Sequence, residues 1–383
     1  MKLFIIPSWY PSEIHPESGT FFRDRAQILQ RAGHETIVIA GITHSLKNVF
    51  RWLPYQSPSV PTIENGLCTY RAEMVNLFPK SPRLSFFLTQ KKLRYLLRRA
   101  LDEQGEPDLI FAHSSLWAGA ALAELSKHTD IPFVVSEHLK EFLVPEQFTT
   151  FQKACIQRSH TAAKRIIATS TALKSAIAAQ FPDTRKKLVL IPNPADINAF
   201  SLKPPGSTRT DRFVFMTTAL FRPEKRIELL LNAFKQLLPS HPQSYLRIAG
   251  DGPEKHKLLR LVKRLNIHHR VEFCGFLDKH ALAQKLRRSD AFVLASEVET
   301  FGVALIEAMA CGLPVVSTRC GGPNDTVTEE TGLLVEPNDA PALAAAMGLL
   351  IEKYDRFSPA RIREITLAKY GDQAYVKAVE NLI

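Results

Sequence analysis

The chain has 383 residues, of which 45% are hydrophobic and 23% charged. This composition excludes a chain that is disordered throughout, and the length favours two domains over one. Lys and Arg outnumber Asp and Glu by 49 to 38, and the formal net charge of +11 indicates an anionic partner such as a phosphorylated ligand, nucleic acid or an acidic membrane surface.

The first residues and the cysteines indicate the compartment. Met1–Pro7 has one basic residue and a four-residue apolar run, which predicts a buried first strand rather than a signal peptide. No run approaches the roughly 18–20 apolar residues that a membrane span requires. The five cysteines include no Cys-x-x-Cys pair, which argues against a disulfide framework or a zinc site. We expect a cytoplasmic protein.

Short apolar runs alternate with stretches of helical spacing along the whole chain. The predicted strands are Leu3–Ile6, Thr36–Ala40, Leu109–Ala112, Pro132–Val135, Arg165–Ala168, Leu188–Ile191, Phe213–Thr217, Tyr245–Ala249, Val271–Cys274, Ala291–Ala295, Pro314–Ser317 and Gly332–Val335. The predicted helices include Phe22–Ala32, Leu116–Lys127, Ile227–Leu238, Lys255–Leu265 and Ala340–Ile351. This alternation is typical of parallel sheets covered on both faces.

The alternation is interrupted once, between residues 191 and 208, where proline and polar residues dominate. We interpret this segment as an interdomain linker. The predicted fold class is α/β, with two doubly wound, Rossmann-like domains at residues 1–198 and 207–367 facing across a cleft. A single twelve-stranded sheet is the weaker alternative, because open twisted sheets rarely exceed about ten strands.

Two features of the first half are candidates for ligand binding. Gly19 and Thr20 end a long loop at the carboxyl end of the first strand, just before a helix, where the backbone can approach a phosphate or a sugar. His138 stands at the mouth of the strand that begins at Pro132, and His113 occupies a similar position. A lone histidine at such a position is more often structural than catalytic.

Residues 83–99 combine aromatic, aliphatic and basic side chains at helical spacing. One interpretation is a core helix with a solvated basic face. The other is an interfacial helix attracted to an anionic membrane surface, which would make the protein peripheral on the inner membrane face.

In the second half, a carboxylate pair brackets a helix start. A buried strand ends near Ala295, a loop carries Glu299 to Gly302, and a helix then runs to Gly312. Backbone N–H groups at the start of this helix would face an anion. Glu307 lies on the otherwise apolar helix, where either ligand hydroxyls or a core arginine would satisfy it.

These residues together resemble the retaining glycosyltransferases of family 4, which have the GT-B fold. The family carries a glutamate, seven residues, a second glutamate, a helix ending in Gly-x-Pro-Val-[Val/Ile], and then Gly-Gly. The matching residues are Glu299, Glu307, Gly312–Val316 and Gly321–Gly322. The turn Gly250–Pro253 is similar to the Gly-x-Gly-Pro turn of the family.

The resemblance implies roles for individual residues. Glu299 would contact donor-sugar hydroxyls, and Glu307 the nucleotide ribose. The donor sugar and diphosphate would be bound by backbone N–H groups of Phe301, Gly302 and Val303. Gly250, Gly252 and Phe276 would line the base. His138 would touch the donor sugar near the cleaved bond.

The family also places an arginine five residues before a lysine, and this pair neutralises the leaving diphosphate. Lys225 matches the lysine, but Leu220 stands at the arginine position. We hypothesise that Arg222 supplies the second charge; the other interpretation is that Arg222 is a solvated loop residue. The chain has no Asp-x-Asp motif, so we expect no metal and no cofactor.

The resulting prediction is a retaining enzyme that moves a sugar from a nucleoside diphosphate sugar, with UDP favoured, to a glycan or lipid-linked glycan. The alternative is a catalytically silent glycan- or nucleotide-binding scaffold on the same fold, for which Leu220 is the main argument. A nicotinamide oxidoreductase lacks its Gly-x-Gly-x-x-Gly here, and no motif supports nucleic-acid binding. Residues 368–383 are predicted to form a helix that crosses back to the first domain. The loops at 43–61 and 140–152 are predicted to determine substrate specificity.

Overall fold

The computed structural model describes residues 1–16, 18–45, 61–76, 78, 80–203 and 211–382. The predicted loop at 43–61 and the predicted linker therefore lie partly outside the described residues. The chain divides into two compact units. Unit 1 comprises Met1–Thr169, Leu173–Ile191 and Val376–Ile383, and unit 2 comprises Ser170–Ala172 and Pro192–Tyr375.

Unit 1 contains an eight-stranded sheet with the order β3-β4-β2-β1-β5-β6-β7-β8. The strands are β1 Lys2–Pro7, β2 Glu35–Ser45, β3 Thr62–Glu64, β4 Leu67–Asn76, β5 Leu109–His113, β6 Phe133–Glu137, β7 Arg165–Ala168 and β8 Leu188–Leu190. All neighbouring strands are parallel except the β3–β4 hairpin. The residues Leu3–Ile6 of β1 are buried, as a strand covered on both faces requires.

Unit 2 contains a six-stranded parallel sheet with the order β11-β10-β9-β12-β13-β14. Its strands are β9 Phe213–Thr218, β10 Ser244–Ala249, β11 Val271–Gly275, β12 Ala291–Leu294, β13 Val315–Thr318 and β14 Gly332–Val335. Each unit has its own hydrophobic core. The predicted pair of doubly wound parallel sheets is confirmed, and the single-sheet alternative is wrong.

Helices connect the strands in both units. In chain order the α-helices are Thr20–Arg31, Pro82–Gln104, Ala120–Leu125, Thr150–Ala162, Thr171–Gln180, Ile227–Leu237, Lys255–Arg264, Lys279–Arg287, Val303–Ala310, Pro323–Thr326, Ala340–Glu352, Pro359–Tyr370 and Asp372–Glu380. Short 3₁₀ helices lie at Ser126–His128, Lys140–Leu143, Pro182–Lys187, Pro223–Lys225 and Tyr354–Arg356.

Three local predictions were wrong or incomplete. The hairpin of β3 and β4 was missed, because its strands mix polar and apolar residues instead of forming an apolar run. The predicted helix Leu116–Lys127 is interrupted by an irregular turn at Ser115–Gly119, within which Leu116 is extended. The predicted helix over 368–383 is two helices, because Gly371 adopts an extended conformation that ends the first of them.

The last residues of the chain are held on unit 1. Glu380 lies 3.3 Å from Nε2 of His34, which follows the first helix of that unit. Across the described residues, no helix combines the length and the apolar character that crossing a membrane requires.

Candidate functional site

The predicted site residues are divided between the two units. Gly19, Thr20 and His138 belong to unit 1. Unit 2 contains the rest, which are Arg222, Lys225, Gly250, Gly252, Phe276, Glu299, Phe301, Gly302, Val303 and Glu307. These residues therefore form two half-sites, one in each unit.

In unit 2 the structure joins Lys225 to Glu299. The Lys225 ammonium donates a hydrogen bond of 2.5 Å to Oε1 of Glu299, and Ser296 Oγ donates one of 2.8 Å to the same oxygen. Only 25% of the lysine side chain and 12% of the glutamate side chain are exposed. A cation and a carboxylate 74 residues apart in sequence thus share one position, at the carboxyl end of the parallel sheet.

The loop that carries Glu299 is fixed by its backbone. The Glu299 N–H donates to Cys320 O at 2.8 Å, and the Gly322 N–H donates to Glu299 O at 2.9 Å. These two bonds hold the main chain at Glu299, and the side chain is held by Lys225 and Ser296. Burial raises the pKa of the neighbouring Cys320 thiol to about 12, so this cysteine stays protonated near neutral pH.

Gly302, with φ of 91°, caps the helix Val303–Ala310. Phe301 is almost fully buried, with its ring edge-on to Tyr370 at 5.6 Å, so only its backbone is suited to contact a ligand. Val303 is half-buried at the first position of the helix. Glu307 is half-buried four residues further along, about 6 Å up the helix axis.

The segment around Leu220 is built against the Gly-x-Gly turn. Phe221 N–H donates to Asp251 O at 2.8 Å, and Gly250 has a φ of 134°. A Cβ on Gly250 would overlap the carbonyl of Ala219, and one on Gly252 would lie 2.6 Å from Phe221 N. Only glycine permits this close approach of the two backbones.

The side chains of Leu220 and Arg222, on either side of the buried Phe221, face solvent. Leu220 is 40% exposed, and Arg222 is exposed and forms no ion pair with a described residue. Arg226 instead pairs with Glu297 at 2.8 Å. Phe276 is 55% exposed, the state of an aromatic side chain that is available for stacking.

In unit 1, Gly19 brings the first helix close to the loop after β1. Gly19 has a φ of 70° and precedes Thr20, the first residue of the helix. A Cβ at Gly19 would lie 2.7 Å from Trp9 O. Trp9 packs edge-on against Phe22 at 5.1 Å, and Tyr10 is buried, so both aromatic residues serve packing.

His138 lies in a polar cluster beneath that helix. Its Nε2 is 3.2 Å from Arg25 Nη1, 3.0 Å from Ser136 Oγ and 3.3 Å from His113 Nδ1. Phe22 stacks on His113 with ring centroids 4.5 Å apart. Burial, and after it the Arg25 charge, hold the pKa of both histidines well below the ordinary value, so both are neutral near pH 7.

The sequence analysis missed Arg25 and Ser296. Arg25 is only 3% exposed although it lies on a helix rich in polar residues. The apolar period of that helix, with Phe22, Ala26 and Leu29 buried, places position 25 on the same face and could have identified it. Ser296 carries no comparable signal.

Comparison with known proteins assigns both halves of the chain. Residues 201–366 match the family Glycosyl transferases group 1, and residues 18–199 match Glycosyltransferase Family 4. N-acetyl-alpha-D-glucosaminyl L-malate synthase of Bacillus anthracis is 36% identical over 165 residues, which span 42% of this chain and 42% of that protein. This match therefore covers less than half of either protein.

Solved structures share the fold over the whole chain. Sucrose-phosphate synthase from Thermosynechococcus elongatus superimposes with a TM-score of 0.80 at 23% identity, covering 100% of this chain and 98% of that one. HepE of Anabaena, in complex with UDP and glucose, has a TM-score of 0.72 at 20% identity with the same coverage. The chain therefore belongs to glycosyltransferase family 4, has the GT-B fold, and transfers a sugar from a nucleotide-sugar donor.

Proposed function

We propose that the protein is a retaining glycosyltransferase that uses a UDP-sugar, requires no metal ion, and acts on a glycan or a lipid-linked glycan. The observation that carries this proposal is the 2.5 Å contact between Lys225 and Glu299 beside the start of the helix Val303–Ala310. Lysine and helix start offer positive charge to a diphosphate, and the carboxylate offers acceptors to sugar hydroxyls.

In the proposed reaction, the bond between the anomeric carbon and the diphosphate oxygen breaks while the acceptor oxygen bonds to the same face of that carbon. The acceptor hydroxyl gives its proton to the departing diphosphate. Lys225 and Arg222 neutralise the developing negative charge. No protein nucleophile is needed, because the attacking and leaving oxygens occupy the same face.

We assign to the residues of each half-site the binding roles that the family resemblance implies. Backbone N–H groups of Phe301, Gly302 and Val303 bind the diphosphate and sugar, and Glu307 binds the ribose. Phe276 and the turn at Gly250 and Gly252 line the base. Gly19 and Thr20 present backbone to the donor phosphates from unit 1, and His138 contacts the donor sugar.

Two arguments support the finer assignments. UDP is favoured because HepE, which shares the fold, is described in complex with UDP and glucose. A metal-free reaction is favoured because Lys225 supplies a fixed cation, and the chain has no Asp-x-Asp motif. Turnover at full rate in EDTA supports a metal-free reaction. Turnover that is lost in EDTA and restored by Mg²⁺ or Mn²⁺ contradicts it.

Calorimetric titration with UDP, GDP and ADP tests the donor site. We expect selective binding of UDP that is lost in Glu307→Ala. Glu336→Ala is the matched control, since Glu336 is an exposed carboxylate in the same unit. Equal binding of the three nucleotides would contradict the UDP preference, and unchanged binding in Glu307→Ala would contradict the role of Glu307.

The exposed Leu220 favours a second candidate, a nucleotide-binding scaffold without turnover. Leu220→Arg restores the arginine of the family on an exposed position, and UDP release from the donor sugar measures its effect. If the parent turns over the donor sugar and Arg222→Ala does so more slowly, the protein is an enzyme in which Arg222 helps to neutralise the diphosphate. If the parent binds nucleotide without turnover, and Leu220→Arg gains turnover, the scaffold is supported.

We also propose that the helix Pro82–Gln104 binds anionic membrane surfaces, as suits a lipid-linked acceptor. Its exposed face presents Leu84, Phe87 and Tyr95 beside Lys91 and other basic residues. Apolar side chains enter the headgroup region while basic ones contact anionic lipid. Phe87 is 53% and Tyr95 62% exposed, which a solvated basic face alone does not explain.

Two basic residues of this helix are engaged by other groups of the protein. Lys92 points inward, with Nζ 2.6 Å from Ile42 O, and burial lowers its pKa to about 7. Arg99 pairs with Glu103 at 2.7 Å. The residues to neutralise are therefore Lys91, Arg94 and Arg98.

Sedimentation with phosphatidylglycerol vesicles tests this proposal. We expect the triple glutamine variant of the helix face to pellet less than the parent. Replacing Arg260, Lys263 and Arg264 with glutamine is the matched control, because these exposed residues of unit 2 change the net charge equally. Equal pelleting of both variants would contradict a specific role for the helix.

A further inference from the structure

The buried Arg25 is part of the polar cluster around His138. Arg25 lies on the helix Thr20–Arg31, and its Nη1 is 3.2 Å from His138 Nε2 and 3.4 Å from Ser136 Oγ. A guanidinium can only donate hydrogen bonds, and it keeps its protons at all physiological pH values. Its partner atom on the imidazole must therefore be an acceptor.

This requirement fixes the protonation of the ring. A neutral imidazole has one protonated and one unprotonated nitrogen, and the imidazolium ion has protons on both. If Nε2 accepts from Arg25, the single proton of His138 resides on Nδ1. A protonated Nε2 would place two N–H groups head to head in a buried cluster, which is costly.

The titratable groups that act on His138 are Arg25 and His113, and both disfavour the imidazolium form. His113 comes from β5, is held beneath Phe22, and is itself neutral by the same two causes. Nδ1 of His138 has no hydrogen-bond partner among the described residues, whereas Nε2 has three neighbours.

We infer that Arg25 is a positioning residue that holds His138 as the neutral tautomer with its proton on Nδ1, so that His138 offers a hydrogen-bond donor to an oxygen of the donor substrate. The inference rests on the proposed function only for the identity of the ligand. It excludes His138 as a general base through Nε2, since that lone pair is committed to Arg25.

The test is nitrogen NMR of the full chain labelled with ¹⁵N-histidine, with His138→Gln used to assign the resonance. In the parent we expect a protonated Nδ1 and an unprotonated Nε2 at every pH between about 6 and 8. In Arg25→Met the proton is expected to redistribute between the two nitrogens, and Arg25→Lys is expected to keep most of it on Nδ1. A parent His138 protonated on Nε2 would overturn the inference without any variant, and an unaltered tautomer in Arg25→Met would overturn the role of Arg25.

Kinetics separates this role from structural support. We expect Arg25→Met to lower kcat on the order of tenfold to a hundredfold in the parent background. In the His138→Gln background the same substitution is expected to change kcat less than about threefold, because the group that Arg25 orients is gone. Equal losses in both backgrounds would show a structural role instead. If the NMR result holds and no sugar nucleotide is turned over, the proposed function fails while the tautomer assignment stands.

Discussion

Replacing Lys225 with methionine separates catalysis from stability in the donor half-site. The methionine keeps most of the aliphatic chain and removes the ammonium that bonds Glu299 at 2.5 Å. A charge-assisted hydrogen bond contributes about 1.5–3 kcal/mol. Because a quarter of the lysine side chain is exposed and Ser296 still donates to Glu299, we expect unit 2 to lose about 1–2 kcal/mol.

The expected loss of rate is larger. Removing one fixed positive group from a site of developing charge typically costs about 10²–10³ in kcat, or about 2.7–4 kcal/mol in the transition state. A domain with a free energy of unfolding of about 5–15 kcal/mol stays almost fully folded after losing 1–2 kcal/mol. A fall of 10² in kcat therefore cannot arise from unfolding.

The assay is release of nucleoside diphosphate from the donor sugar, paired with chemical denaturation of the same samples. Arg226→Met is the matched control, since Arg226 pairs with Glu297 at 2.8 Å while both side chains are about 40% exposed. We expect this control to keep kcat within about twofold and to lose at most about 1 kcal/mol of stability. A Lys225→Met enzyme within about threefold of the parent, or an equal loss in the control, would refute the reasoning.

Three further predictions follow from burial and backbone geometry. Gly250→Ala should lower the free energy of unfolding by about 3 kcal/mol or more and weaken nucleotide binding. Gly33→Ala is the control, because Gly33 has a φ of 92° and nothing near its Cβ, and it should lose about 1–2 kcal/mol. Equal losses would contradict the close approach of the two backbones at Gly250. The stability of unit 1 should fall as pH decreases below about 6.5, by up to about 1.4 kcal/mol per pH unit for each of His113 and His138, because the unfolded chain takes up protons there that the folded chain excludes; a flat profile in urea titrations from pH 7 to 5 would contradict this. Cys320 should resist a thiol reagent in the native state and react once denatured, and fast native labelling would contradict its burial.

The sequence predicts most of the fold because the strands are short, buried and apolar. β1 and β12 are examples, in which every central residue is hydrophobic and buried. β4 escapes that criterion, since its sequence carries Arg71 and Glu73, which form an ion pair at 3.0 Å on the sheet. A strand whose charged side chains pair with each other need not contain the continuous apolar run from which strands were predicted.

The candidate site was predictable in its parts and not in its contacts. The loop at Glu299 and the cation at Lys225 were found from local motifs, but their contact depends on strands that are distant in sequence. Arg25 shows the limit more clearly. Its charge predicts an exposed residue, although the apolar period of its helix places it on the buried face. Its partners Ser136 and His138 are more than 100 residues away in sequence, so the contacts that stabilise its charge could not be predicted.

The exposed side chain of Leu220 has a consequence for how such an enzyme can change over generations. The path of its segment is determined by main-chain bonds, from Phe221 to Asp251 and from Glu254 to Phe221, and by the two glycines opposite. The side chain of residue 220 therefore contributes little to the shape of the loop. Selection can therefore exchange leucine for a cation at this position without changing the turn that holds it.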